Sequence, residues 1–135
     1  MNRTLLTDSL RTLCLNRGYS FRTAKEGSIM QPVTSLPMAW LTPPQLSEVE
    51  GINRRKESYT VTLHLIAESP KQGQDQIDSL RCSLEEQLLD IFAELSTREG
   101  VVVVEQLSIK LPTKPLTTIG EVAMSASAKV VMYRV

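Results

Sequence analysis

A run of apolar residues at helical spacing, flanked on both sides by β-branched segments, is the feature that most constrains this chain. Ile77, Leu80, Leu84, Leu88, Ile91 and Leu95 follow one another at steps of 3, 4, 4, 3 and 4, which puts all six on one stripe of an α-helix. Residues 75–96 are therefore predicted as a single amphipathic helix, with Asp75 as its N-cap and Asp78 in the first turn, where a carboxylate meets the positive end of the helix dipole. Before this helix, Tyr59, Val61, Leu63, Leu65 and Ala67 alternate with Thr60, Thr62, His64 and Glu68. That is the period of a strand with one apolar and one polar face. After it, residues 101–111 and 122–135 are again rich in valine. A one-striped helix and one-faced strands must bury those surfaces on each other. The expected fold is α+β: a mostly antiparallel sheet of about five strands with two helices packed on one face.

The remaining segments fill in that plan. Residues 3–17 are predicted as a first helix with Leu6, Leu10 and Leu13 inward, and Gly18 is placed to end it in a left-handed cap. Residues 19–29 form a short strand or loop, interrupted at Gly27 and Pro32. Residues 37–41 read as a short strand closed by Thr42, Pro43 and Pro44, since two prolines supply no amide to a ladder; the segment ends at an edge or leaves the sheet. Residues 46–52 and 57–68 then form a hairpin whose tip is Asn53, Arg54, Arg55 and Lys56. Further on, Val102 and Val104 share one parity while Leu107, Ile109 and Leu111 share the other, so a β-bulge is expected near Glu105 and Gln106. The last strand alternates Val122, Met124, Ala126, Ala128, Val130 and Met132. Its fourteen residues (122–135) would span about 45 Å at roughly 3.3 Å each, so it must bend or project beyond its own domain.

A chain of 135 residues with 41% hydrophobic and 22% charged residues is expected to form one domain, residues 1–135, with a core of its own. Its formal net charge of zero exerts no general pull on nucleic acid or anionic lipid. The charge is nevertheless uneven. Residues 1–25 hold Arg3, Arg11, Arg17, Arg22 and Lys25 against Asp8, a net of +4. Residues 75–105 hold eight carboxylates against Arg81 and Arg98, a net of −6. These are either two solvated helix faces or complementary surfaces that meet between copies of the chain. No apolar run approaches the length of a membrane span. The polar N-terminus has no signal-peptide apolar region, which leads to an expectation of a reducing cytoplasm.

Catalytic groups are sparse. His64 is the only histidine; its place on the polar side of a strand predicts a solvent-facing structural role, with neither an orienting partner nor a nucleophile nearby. Cys14 and Cys82 fall in the two helices without metal-ligand spacing and are expected to be free structural thiols. The glycines, at 18, 27, 51, 73, 100 and 120, are all isolated, so no phosphate-cradling loop can be built from them. The expectation is a chain that is not an enzyme, with no catalytic, cofactor-binding or metal residues and no cofactor. The tip residues Arg54, Arg55 and Lys56 are a candidate contact point; lacking aromatic neighbours, they offer nucleic acid a non-specific phosphate contact at most. Pro112 and Pro115 belong to an ordinary loop. On the second helix a weaker apolar stripe of Cys82, Leu89 and Ala93 lies roughly 120–160° from the main one at about 100° per residue. With the neighbouring Glu86 and Asp90 it forms a candidate subunit interface, unless the helix simply buries a wide face.

The element order is helix, short strand, long hairpin, helix, two long strands. Taken with the basic first helix, the segment Leu36, Pro37, Met38, Ala39 and Trp40, and the finger around Arg54, Arg55 and Lys56, it resembles the tail-terminator and tail-completion proteins of long-tailed bacteriophages and prophages. The likeness is one of pattern over nearly the whole chain; it carries no motif and transfers no functional residue. It implies an antiparallel sheet with packed helices, a homo-oligomeric ring that is a hexamer in that family, and phage tail-tube or head-completion proteins as partners. It also implies a life in the host cytoplasm during assembly and then in the virion. The alternative, from a different class, is a bacterial adaptor or regulatory module that holds a peptide or small ligand on its sheet.

Overall fold

The computed structural model describes residues 2–23, 37–51, 56–68, 73–111 and 121–133. Its elements are α1 (Asn2–Asn16), β1 (Ser20–Thr23), β2 (Met38–Glu50), β3 (Lys56–Glu68), α2 (Gln74–Leu95), β4 (Val101–Lys110) and β5 (Glu121–Tyr133). The strands form one sheet in the order β1-β2-β3-β5-β4. Every neighbouring pair is antiparallel except β1 with β2, which is parallel. The fold is α+β as expected, with a five-stranded, mostly antiparallel sheet in which one pair is parallel.

The sheet's centre is the β3–β5 ladder, and its inward residues explain where the helices sit. Tyr59, Val61, Leu63, Leu65 and Ala67 stand opposite Val130, Ala128, Ala126, Met124 and Val122. Val61 and Leu63 on β3 thus face alanines on β5, and α2 lies over β5 and β4 while α1 lies over β1 and β2 beside it. Leu84, Leu88, Ile91, Phe92 and Leu95 of α2 join those strand residues, and Leu6, Leu10, Leu13 and Cys14 of α1, in one buried cluster. Ile77 and Leu80 pack against its margin, half-buried. Both helices therefore cover the same face.

The helix ends show how the sequence stops them. Gly18 has φ +87°, and the amides of Gly18 and Tyr19 donate to the carbonyls of Leu15 and Cys14, both at 3.1 Å. This is a Schellman turn, which a left-handed glycine permits at no steric cost. The start of α2 differs from expectation. Its N-cap is Gly73, without a side-chain cap bond, and Asp75 sits inside the first turn. There its charge still faces the positive helix end.

Two strands differ from their sequence reading. Pro43 and Pro44 do not close the strand that carries Trp40: β2 runs on through them to Glu50. Register passes from Thr42 opposite Thr62 to Gln45 opposite Thr60, so one extra β2 residue is absorbed in a bulge. The prolines are tolerated because neither needs to donate: among the described residues β1 pairs only as far as Leu41 on one side, and on the other both fall in the bulge between Thr42 and Gln45, outside the β3 register. A second shift adds Ser47, whose hydroxyl donates to the carbonyl of Ser58 at 3.0 Å.

In β4 the expected bulge is present. Gln106 has φ +56°, and Gln106 with Leu107 spans the gap between Glu105 opposite Lys129 and Ser108 opposite Ser127. An earlier shift between Val101 and Val103 was not anticipated. It makes Val101 and Val104, not Val102 and Val104, the pair that packs inward. Of Leu107, Ile109 and Leu111, only Ile109 reaches the core; Leu107 is at the bulge and Leu111 lies past the strand's end, both exposed.

Candidate functional site

The face of the sheet opposite the helices carries the described polar side chains that most resemble a site. One row of paired residues crosses all five strands: Arg22, Trp40, His64, Ser125 and Lys110. His64 is not solvent-facing as its polar neighbours suggested; it is 4% exposed. Large cross-strand neighbours flank it. Trp40, fully buried, lies beside it with ring centroids 5.2 Å apart, and Met38, Ile66 and Ala123 fill the row below. His64 Nδ1 and Ser125 Oγ share a hydrogen bond. A Ser–His pair is the start of a nucleophile, but Ser125 is itself buried, so the bond joins two groups that solvent does not reach. Its evident effect is to satisfy both polar groups where water is excluded.

The next rows are wetter. Thr62 and Ser127 hydroxyls bond at 3.1 Å. Lys129 Nζ lies 3.4 Å from Glu48 on β2 and 3.6 Å from Glu105 on β4. The hydrogen bond to Glu48 and that carboxylate's charge, then Glu105, hold the Lys129 ammonium above its usual pKa. A concavity of about 610 Å³ opens where β2 bulges, lined by Arg3, Thr42, Pro43, Pro44, Gln45, Thr60 and Thr62. The Thr42 hydroxyl is buried there without a hydrogen-bond partner. Among the described residues no group of histidines, cysteines and carboxylates is arranged to hold a metal.

The residues proposed for a subunit interface lie together on the outer side of α2. Cys82, Glu86, Leu89, Asp90 and Ala93 are all exposed, Leu89 by 47%. The charge complementarity between the two helices is in part spent within one chain. Arg17 donates to Glu94 at 2.6 Å and stands 3.9 Å from Asp90. Cys14 and Cys82 are both free, and burial pushes the Cys14 thiol up to about 12. Of the hairpin-tip residues, Asn53, Arg54 and Arg55 lie outside the described residues. Lys56 opens β3 with its ammonium 5.6 Å from the Tyr133 ring centroid.

Sequence reasoning allowed for an edge at Pro43 and Pro44 but did not find that β4 is the other edge. Three rows cross the four strands β2, β3, β5 and β4: Leu46, Tyr59, Val130 and Val104; Glu48, Ser58, Val131 and Val103; Val49, Glu57, Met132 and Val101. At this level β1 is absent, so among the described residues both β2 and β4 are edges. The signal was the unbroken valine run 101–104, which does not alternate as a one-faced strand should. No helix among the described residues is long and apolar enough to cross a membrane.

Against models of known protein families and against curated proteins, the chain finds no match.

Proposed function

We propose that this protein is a structural subunit that assembles with copies of itself into a ring, at the tail end or head–tail junction of a phage or prophage, and that it has no catalytic activity. The observation that carries this is the outer face of α2, where Cys82, Leu89 and Ala93 form an apolar stripe that the chain's own fold leaves in solvent. Exposed apolar stripes bordered by charge mark association surfaces. The element order, retained in the structure, supports the resemblance to tail-terminator proteins, whose rings join tail tube to head. Light scattering across a concentration series, with and without a tail-tube protein, tests it. The expected result is a discrete closed oligomer, weakened by the pair Glu86→Lys and Leu89→Lys with the circular-dichroism spectrum unchanged. Asp90 is the less clean target because its carboxylate also faces Arg17. A strict monomer at millimolar concentration under both conditions refutes the reading.

A second reading, a module that holds a peptide or small ligand on its sheet, is favoured by the concavity around Arg3 and Thr42. Peptide binding that is lost in Arg3→Ala, in a protein that stays monomeric, would transfer the function to it.

A further inference from the structure

We infer that copies of this chain join edge to edge: residues 101–105 of β4 in one copy pair antiparallel with residues 45–50 of β2 in the next, so that one sheet continues through both. The inference rests on the self-association proposed above and assigns it a contact separate from the α2 stripe.

Strand polarity is the first argument. The ladders β2–β3, β3–β5 and β5–β4 are all antiparallel, so β2 and β4 run in opposite directions at opposite edges. A second copy placed alongside therefore meets β4 with a strand of the correct polarity to extend the alternation. Level is the second. The rows ending in Val104, Val103 and Val101 begin in Leu46, Glu48 and Val49, so the two edges stand at the same height and need no slide to engage. Side-chain chemistry is the third. Val102 and Val103 on one edge and Leu46 and Val49 on the other are 39–44% exposed, large apolar groups that a neighbouring strand would cover. Of the carboxylates on these segments, Glu48, Glu50 and Glu105, two lie beside the ammonium of Lys129, which offsets part of the charge that closing the edges brings together.

Open valine-rich edges invite indiscriminate pairing unless something restricts them. Here each edge is irregular: β4 shifts register between Val101 and Val103, and β2 between Leu46 and Glu48. A bulged edge rejects a flat generic strand and favours a partner of matching shape. Because the two edges differ, the contact is head-to-tail, the kind that generates closed rings when the rotation per subunit divides the circle.

Site-directed cross-linking tests this. In a Cys82→Ser background, one preparation carries Val103→Cys and another Glu50→Cys. These positions lie on the same side of the sheet, two residues apart along the strand when the copies are level, a diagonal of about 7–8 Å that a short bismaleimide spans. Mixing the two preparations is expected to give a cross-linked dimer, while neither alone does so. A double variant should give a ladder. Val103→Lys and Val49→Lys, each placing a charge on an edge, are expected to weaken self-association at least tenfold with the fold intact by circular dichroism. Association by light scattering without the mixed cross-link, or cross-linking within either single variant, overturns the edge pairing while leaving ring assembly standing. A chain that does not associate at all removes both. Should a cysteine variant fail to fold, the lysine variants decide alone, and association unaffected by both overturns the pairing.

Discussion

Arg17 reaches from the end of α1 to Glu94 on α2, its guanidinium 2.6 Å from the carboxylate. The contact ties together two helices that share one face of the sheet. Both side chains remain partly in water, so the pair is worth under about 1 kcal/mol. Arg17→Ala should lower the free energy of unfolding by no more than that in a denaturant titration, and the loss should shrink at high salt.

Leu88 is fully buried in the cluster formed by both helices and the central strands. Leu88→Ala should cost about 2–5 kcal/mol, the range for a large-to-small core change. Chemical denaturation at constant slope measures it. A cost under about 1 kcal/mol would mean that α2 does not pack as described.

His64 fills the space between Trp40 and Ser125. His64→Ala should therefore destabilise the fold by roughly 1–3 kcal/mol, because it opens a gap and deprives a buried hydroxyl of its partner. Oligomer size at temperatures well below unfolding should not change. Loss of assembly at unchanged stability would instead give His64 a direct role.

The Cys14 thiol, raised by burial from 9.0 to about 12 in the folded chain, gives a pH dependence with a definite sign. The folded state keeps this proton when the unfolded chain would release it. Stability is thus fully present below pH 9 and is lost as pH rises from there towards about 12. In Cys14→Ala that part of the alkaline decline should be absent. At neutral pH a maleimide should label exposed Cys82 quickly and Cys14 only after unfolding.

The elements that a residue's neighbours in sequence determine were legible, and those set by neighbours in space were not. The stripe from Ile77 to Leu95 and the alternation along β3 and β5 identify helix and strands because burial on one side imposes a local period. Gly18 marks its helix end because few other residues accept that φ. His64 was misread because a polar flank says nothing about the strand beside it, and Trp40 lies 24 positions earlier in the chain. Pro43 and Pro44 were read as a stop because the rule against proline in a ladder concerns paired positions, and only the register reveals that both fall in a bulge beyond the end of β1. The edge at β4 was invisible for the same reason: β5 lies between β3 and β4, an order that no periodicity encodes.

Those two prolines have a mechanical consequence. A strand zipping along the outer side of β2 from the Met38 end meets, after Thr42, two consecutive residues without an amide hydrogen, so whichever of them faces outward has no donor to offer. β1 halts just short of that point. Any strand arriving from the Glu50 end must halt on the other side of it. The pair acts as a fixed divider on a single rail, reserving one length for the chain's own short strand and leaving the other without a neighbour among the described residues.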